Sequence, residues 1–112
     1  MSVITTHVLD TSSGQPAAGV VTRLDKQSEA GGWAEMGRGV TDADGRLRDL
    51  LKAPLEAGTY RLTFDTGAYF RTRGAPGFYP QVTIEFSVLD PSQHYHVPLL
   101  LSPFGYSTYR GS

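Results

Sequence analysis

The chain of 112 residues sets ten Lys and Arg against eleven Asp and Glu, a formal charge of −1, and contains no cysteine. Near-neutrality removes any bulk electrostatic case for nucleic acid or an acidic membrane surface as partner, and the missing thiols exclude disulfides, thiol catalysis and thiolate-bound zinc. With 39% hydrophobic and 19% charged residues the composition is globular; residues 1–112 fit one domain, and no apolar run reaches the roughly 20 residues of a bilayer span.

Short strands between turns dominate the chain. Val3 to Leu9 alternates, with Ile4, Thr6 and Val8 on one face and Val3, Thr5, His7 and Leu9 on the other. Ser12-Ser13-Gly14-Gln15-Pro16 breaks it, and β-branched Val20 to Leu24 reads as the next strand. Gly31-Gly32 precedes a segment over Trp33 to Val40, and Thr41-Asp42-Ala43-Asp44-Gly45 is a turn. Tyr60 to Phe64 alternates as a strand, and Gly67 to Gly74 reads as one short helix between glycines. In Gln81 to Val88, apolar Val82, Ile84, Phe86 and Val88 alternate with polar neighbours. His94 to Leu101 and Gly105 to Tyr109 close the pattern. The expected fold is all-β, an antiparallel sandwich of seven to eight strands with one short helix, in which thirteen Gly and seven Pro mark the turns. A domain this small buries only roughly 60–70% of its unfolded surface, so oligomerisation is an expected supplement to its core.

The first residues show no basic stretch followed by an apolar one, and the last carry no peroxisomal or prenylation signal. The cytoplasm of a prokaryote is the expected location.

Few groups here can act as a base near neutral pH, which singles out the three histidines. His7 sits among β-branched strand residues. His94 and His96, two apart on a strand, share a face and could form two ligands of a metal site, although the sequence supplies no obvious third. Asp42-Ala43-Asp44-Gly45 resembles the start of a calcium loop but lacks the later oxygen ligands and closing Glu, so a plain turn is expected. Arg46 follows that turn, where a guanidinium can hold a carboxylate or polarise a carbonyl. Tyr109-Arg110-Gly111-Ser112 directly continues a strand pattern, which places this tail in the sheet. No Gly-x-Ser-x-Gly elbow or Gly-rich phosphate loop is present.

Together, Thr5-Thr6-His7-Val8-Leu9-Asp10 with Gly14-Gln15-Pro16-Ala17, Thr41-Asp42-Ala43-Asp44-Gly45-Arg46, His94-Tyr95-His96-Val97-Pro98-Leu99-Leu100-Leu101-Ser102-Pro103 and the terminal Tyr109-Arg110-Gly111-Ser112 resemble the transthyretin-like family of 5-hydroxyisourate hydrolases. Tyr60 to Thr66 and Phe78-Tyr79-Pro80 also look like their counterparts, and the terminal tetrapeptide is the most specific element. The resemblance implies a sandwich protomer assembled as a homotetramer around a channel, with sites at the subunit interface. It implies hydrolysis of a purine-derived small molecule, 5-hydroxyisourate, to 2-oxo-4-hydroxy-4-carboxy-5-ureidoimidazoline, without metal or other cofactor. His7, Arg46 and His96 carry over as catalytic and substrate-binding residues, with Tyr109 and Ser112 as further substrate contacts, Arg110 fixing the tail, and His94 left outside the catalytic set.

Three other readings stand beside this one. A carrier of the same fold needs an apolar channel and no base. An unrelated sandwich adhesion module leaves the tail and the His-Tyr-His segment unexplained. A metal-dependent amidohydrolase would use His7, His94 and His96.

Overall fold

Two sheets face each other across an apolar layer in the computed structural model, which describes residues 4–112. Val3, placed by its alternation in the first strand, lies outside the described residues. Along the described chain run β1 (Ile4–Asp10), β2 (Gln15–Pro16), β3 (Val21–Gln27), β4 (Trp33–Val40), β5 (Arg46–Leu47) and β6 (Gly58–Phe64). The helix α1 (Thr66–Thr72) follows, then β7 (Val82–Val88), β8 (Tyr95–Ser102) and β9 (Gly105–Thr108). One sheet has the order β2-β1-β8-β9, with β5 also paired to β1; the other has the order β4-β3-β6-β7.

Alternation decides which side chains enter the core. Ile4 and Val8 from β1, Val97, Leu99 and Leu101 from β8, Leu24 from β3, Leu62 and Phe64 from β6, and Val82 and Ile84 from β7 form one buried cluster. Thr6 points the same way, and its hydroxyl donates to the Val97 carbonyl at 2.6 Å, so the buried oxygen is satisfied. Asp10 closes β1 in an Asx turn with Ser12 and accepts a 2.8 Å bond from the Tyr69 hydroxyl of α1. Burial pushes the Asp10 carboxyl up, but the bonds from Ser12, Tyr69 and Ser13 outweigh it and hold it below the usual range. Burial and the bond to Asp10 push the Tyr69 phenol up to about 12.

The structure departs from the sequence expectation in direction and in element ends. Strands β1 and β8 are parallel, paired from Ile4↔Tyr95 to Asp10↔Leu101, while every other described pairing is antiparallel. Alternation fixes a strand's faces but not its direction; the chain builds the whole opposite sheet between β1 and β8, a crossover long enough for parallel pairing. The helix starts before Gly67 because the Asp65 carboxylate caps it, accepting from the Ala68 N–H at 3.1 Å. Strand β3 runs on to Gln27 through a register shift between Leu24 and Asp25, where Arg23 and Arg61 both pair with the buried Asp25 carboxylate.

Candidate active site

Turn chemistry places the first cation. In Thr41–Gly45, Asp42 Oδ1 accepts the backbone N–H of Asp44 at 2.9 Å and of Arg46 at 3.0 Å. These bonds, that from Arg46 first, hold the Asp42 carboxyl below its ordinary range and commit it to the turn. Gly45 takes a left-handed φ of 74°, and a Cβ there would collide with the Val8 carbonyl oxygen. The Gly45 carbonyl in turn accepts the Val8 N–H at 2.8 Å. The chain therefore leaves the turn pressed against β1, and β5 pairs Arg46 directly with His7 and Leu47 with Thr6.

The outer face of β1 carries Thr5 and His7, since Ile4, Thr6 and Val8 fill the inner one. Its parallel partner β8 sets His96 beside Thr5 and Pro98 beside His7. Thr5 Oγ1 lies 2.7 Å from His96 Nδ1 and 3.1 Å from His94 Nε2. The two imidazoles lie nearly parallel, 28° apart in plane with ring centres separated by 6.5 Å.

The tail completes this face. Strand β9 pairs with β8 as far as Leu99↔Thr108, and the Thr108 hydroxyl donates to the Pro98 carbonyl at 2.6 Å. Pairing lapses at Tyr109 and Arg110, opposite a proline that has no N–H to give, and resumes where Gly111 donates to the His96 carbonyl at 2.8 Å. Arg110 anchors the lapse: its guanidinium lies 4.5 Å from the Tyr95 ring centre and donates to Gln93 Oε1 at 3.0 Å and the His94 carbonyl at 3.2 Å.

A cleft of about 400 Å³ results, lined by Thr5, Thr6, Arg46, Arg48, His94, His96 and Ser112. Arg46, His96 and Ser112 thus converge. His7 is not among the lining residues but sits one step along the same face, half-buried and paired with Arg46. Tyr109 is not brought into this cleft within the protomer. It is 57% exposed and lines a neighbouring cavity of about 220 Å³ with Ile84, Phe86, Tyr95, Val97 and Arg110. Its displacement follows from the lapse in pairing beside Pro98.

Thr5, His94 and Arg48 of this cleft lie outside the catalytic set that the sequence suggests. Thr5 and Arg48 each lie two residues from a selected one, the period that keeps strand side chains on one face. Among the described residues, no group of three or more His, Asp or Glu side chains is placed to hold a metal ion.

Electrostatically the cleft is cationic. Burial, followed by repulsion from His94, His7, Arg46 and Arg48, holds the His96 imidazole below its ordinary pKa. This shift favours the neutral imidazole, the form able to accept a proton, in a cleft that it lines together with Arg46 and Arg48.

A facing-sheet sandwich matched by solved transthyretin structures, with a polar histidine–arginine cleft outside its core, defines a transthyretin-fold protein. The chain belongs to the HIUase/Transthyretin family, whose model matches residues 4–111. A 5-hydroxyisourate hydrolase of Caulobacter vibrioides is 49% identical over 117 residues, covering 100% of both chains. The solved structure of the Klebsiella pneumoniae 5-hydroxyisourate hydrolase is 41% identical, with a TM-score of 0.87 and 100% of each chain covered. Sea bream transthyretin, solved in complex with thyroxine, is 34% identical with a TM-score of 0.91, covering 96% of this chain and 93% of its own.

Proposed function

We propose that this chain hydrolyses 5-hydroxyisourate to 2-oxo-4-hydroxy-4-carboxy-5-ureidoimidazoline in urate degradation. Thyroxine-bound sea bream transthyretin resembles it in backbone as closely as the hydrolase does, so fold alone does not separate binding from hydrolysis. The observation that favours hydrolysis is the cleft, which the His96 imidazole, shifted toward its neutral form, lines together with Arg46 and Arg48. An apolar ligand gains little from such walls, whereas a planar ring rimmed by carbonyls finds donors for each.

Ring-amide cleavage needs an activated water, a stabilised oxyanion and a protonated leaving nitrogen. His96 takes a proton from water, with His7 holding that water. The water oxygen adds to the ring carbonyl carbon as negative charge gathers on the carbonyl oxygen beside Arg46. The ring carbon–nitrogen bond then breaks, and the proton held on His96 passes to the departing nitrogen. Ser112 closes the cleft by hydrogen bonding, and Arg110 keeps the tail in place. Since Tyr109 lies outside the protomer's cleft, its contact with substrate belongs to the assembled oligomer.

The assembly proposed is a homotetramer with the outer face of the β1–β8 sheet turned toward a shared channel. Residues 1–112 act as one domain, no resident cofactor is required, and the location is the cytoplasm. Among the described residues, no helix is long and apolar enough to cross a membrane. The test is to add purified protein to freshly generated 5-hydroxyisourate and follow its ultraviolet absorbance. The reading predicts decay well above the spontaneous rate, and decay at the spontaneous rate overturns it.

A further inference from the structure

His94 has no part in the reaction above, yet its Nε2 reaches the same hydroxyl that holds His96 Nδ1. A threonine hydroxyl carries one proton and two lone pairs, so Thr5 cannot donate to both rings. Where it accepts from both, the His96 proton is on Nδ1 and its Nε2 lone pair is free. Where it donates to one ring and accepts from the other, there are two arrangements of neutral imidazoles. In the first, His96 Nδ1–H donates to Thr5 Oγ1 and Thr5 donates to His94 Nε2, leaving the His96 Nε2 lone pair free. In the second, His94 Nε2–H donates to Thr5 and Thr5 donates to His96 Nδ1, which puts the His96 proton on Nε2 and removes the base. We propose that Thr5 and His94 form a relay that holds His96 in its basic tautomer and carries outward the positive charge of its acquired proton.

The relay balances without a co-reactant. As His96 Nε2 takes a proton from water, the proton on Nδ1 moves to Thr5 Oγ1 and the Thr5 proton moves to His94 Nε2. His96 ends neutral, Thr5 ends as a hydroxyl, and the positive charge resides on His94. Run in reverse, the same shifts return a proton to His96 Nδ1 as its Nε2–H passes to the leaving nitrogen. Location sets the direction: His96 is half-buried and His94 is exposed to solvent, which stabilises charge better there. The charged and titratable groups around the pair are His7 on β1, Arg46 and Arg48 at β5, and Arg110, which binds the His94 carbonyl. The tail contributes Ser112. Thr5 is a positioning residue in this account, since it touches the two imidazoles and acts through them.

The proton-carrying role rests on the hydrolytic reading; the tautomer assignment does not. The test is ¹⁵N NMR of the imidazoles in the whole protein at a pH where they are neutral, comparing wild type, Thr5→Val, Thr5→Ser and His94→Ala. Thr5→Val keeps the β-branched shape favoured in a strand, and exposed His94 can be removed without opening the core. Wild type and Thr5→Ser are expected to hold the His96 proton on Nδ1, with Thr5→Val releasing it to a mixture. With 5-hydroxyisourate, Thr5→Val and His94→Ala should lower kcat on the order of 10–100-fold with little change in KM, the scale typical of losing an outer hydrogen-bond partner. A wild-type His96 protonated on Nε2, or the same tautomer in Thr5→Val as in wild type, overturns the relay. So does an unchanged kcat in both variants. A wild type inert toward 5-hydroxyisourate refutes the hydrolytic reading and the proton-carrying step that depends on it, and the shifts then decide the tautomer assignment alone.

Discussion

Adding one methyl group at Gly111 should disable the cleft with little damage to the fold. A Cβ at this position would lie 2.5 Å from His96 Cδ2, 3.3 Å from His96 Cγ and 3.3 Å from Pro98 Cγ. Carbon atoms rest about 3.5–4.0 Å apart, so the ring or the tail must yield by about 1 Å. Pro98 is buried and rigid, leaving the His96 ring and the last tail residues to move. The glycine is not in the left-handed region, so Gly111→Ala adds a packing conflict without backbone strain. Overpacking of this kind costs about 1–3 kcal/mol, and the lower end applies because the neighbouring tail residues are exposed. For a domain of this size, 1 kcal/mol lowers Tm by about 4–8 °C. Misplacing a catalytic group by about 1 Å costs on the order of 10²-fold, so kcat/KM should fall far more steeply than stability. The assay is 5-hydroxyisourate turnover alongside a thermal melt of the same sample. A Gly111→Ala protein with wild-type kcat/KM would show that the tail does not set the position of His96.

The acid limb of kcat/KM should fall below the ordinary imidazole value of about 6.5, because His96 works when neutral and its surroundings hold its pKa down. Arg46→Gln, by removing one of the repelling charges, should move that limb upward while slowing the reaction, and a limb that stays in place contradicts the assignment to His96. In the same group the folded protein binds protons less readily than the unfolded chain. Its stability is therefore greatest above about pH 6.5 and is lost as pH falls through the folded value, as melts across that range will register. Tyr69→Phe removes the buried bond to Asp10 and should cost about 1–3 kcal/mol in denaturant unfolding. It should also flatten the loss of stability below about pH 4, since Asp10 then gains less from being ionised when folded.

Much of this architecture was legible because strand faces leave a mark with a period of two. Ile4, Thr6 and Val8 point inward as their alternation requires, and the same rule sets Thr5 beside His7 on the outer face. What alternation leaves out is pairing. Nothing local to residues 4–10 or 95–102 reveals that these strands run parallel, and that direction is what seats His96 beside Thr5. Arg46 was conspicuous after a turn, but its position opposite His7 depends on Gly45 docking against Val8, a contact distant in sequence. The tail was legible as a continuation of the sheet. Its division of labour was not: a lapse beside Pro98 sends Tyr109 to one cavity while Gly111 and Ser112 return to His96. Thr5 reads in the sequence as an ordinary strand threonine and becomes distinctive only where two imidazoles meet its hydroxyl.

The central claim is that His96 is the base of a hydrolytic cleft. Wild type and His96→Ala, matched for fold by circular dichroism and for oligomeric state by size, should be compared on freshly generated 5-hydroxyisourate. Loss of a positioned base predicts a fall in kcat of roughly 10²–10⁴-fold with the protein still folded, whereas near-normal turnover by the alanine variant would contradict the account.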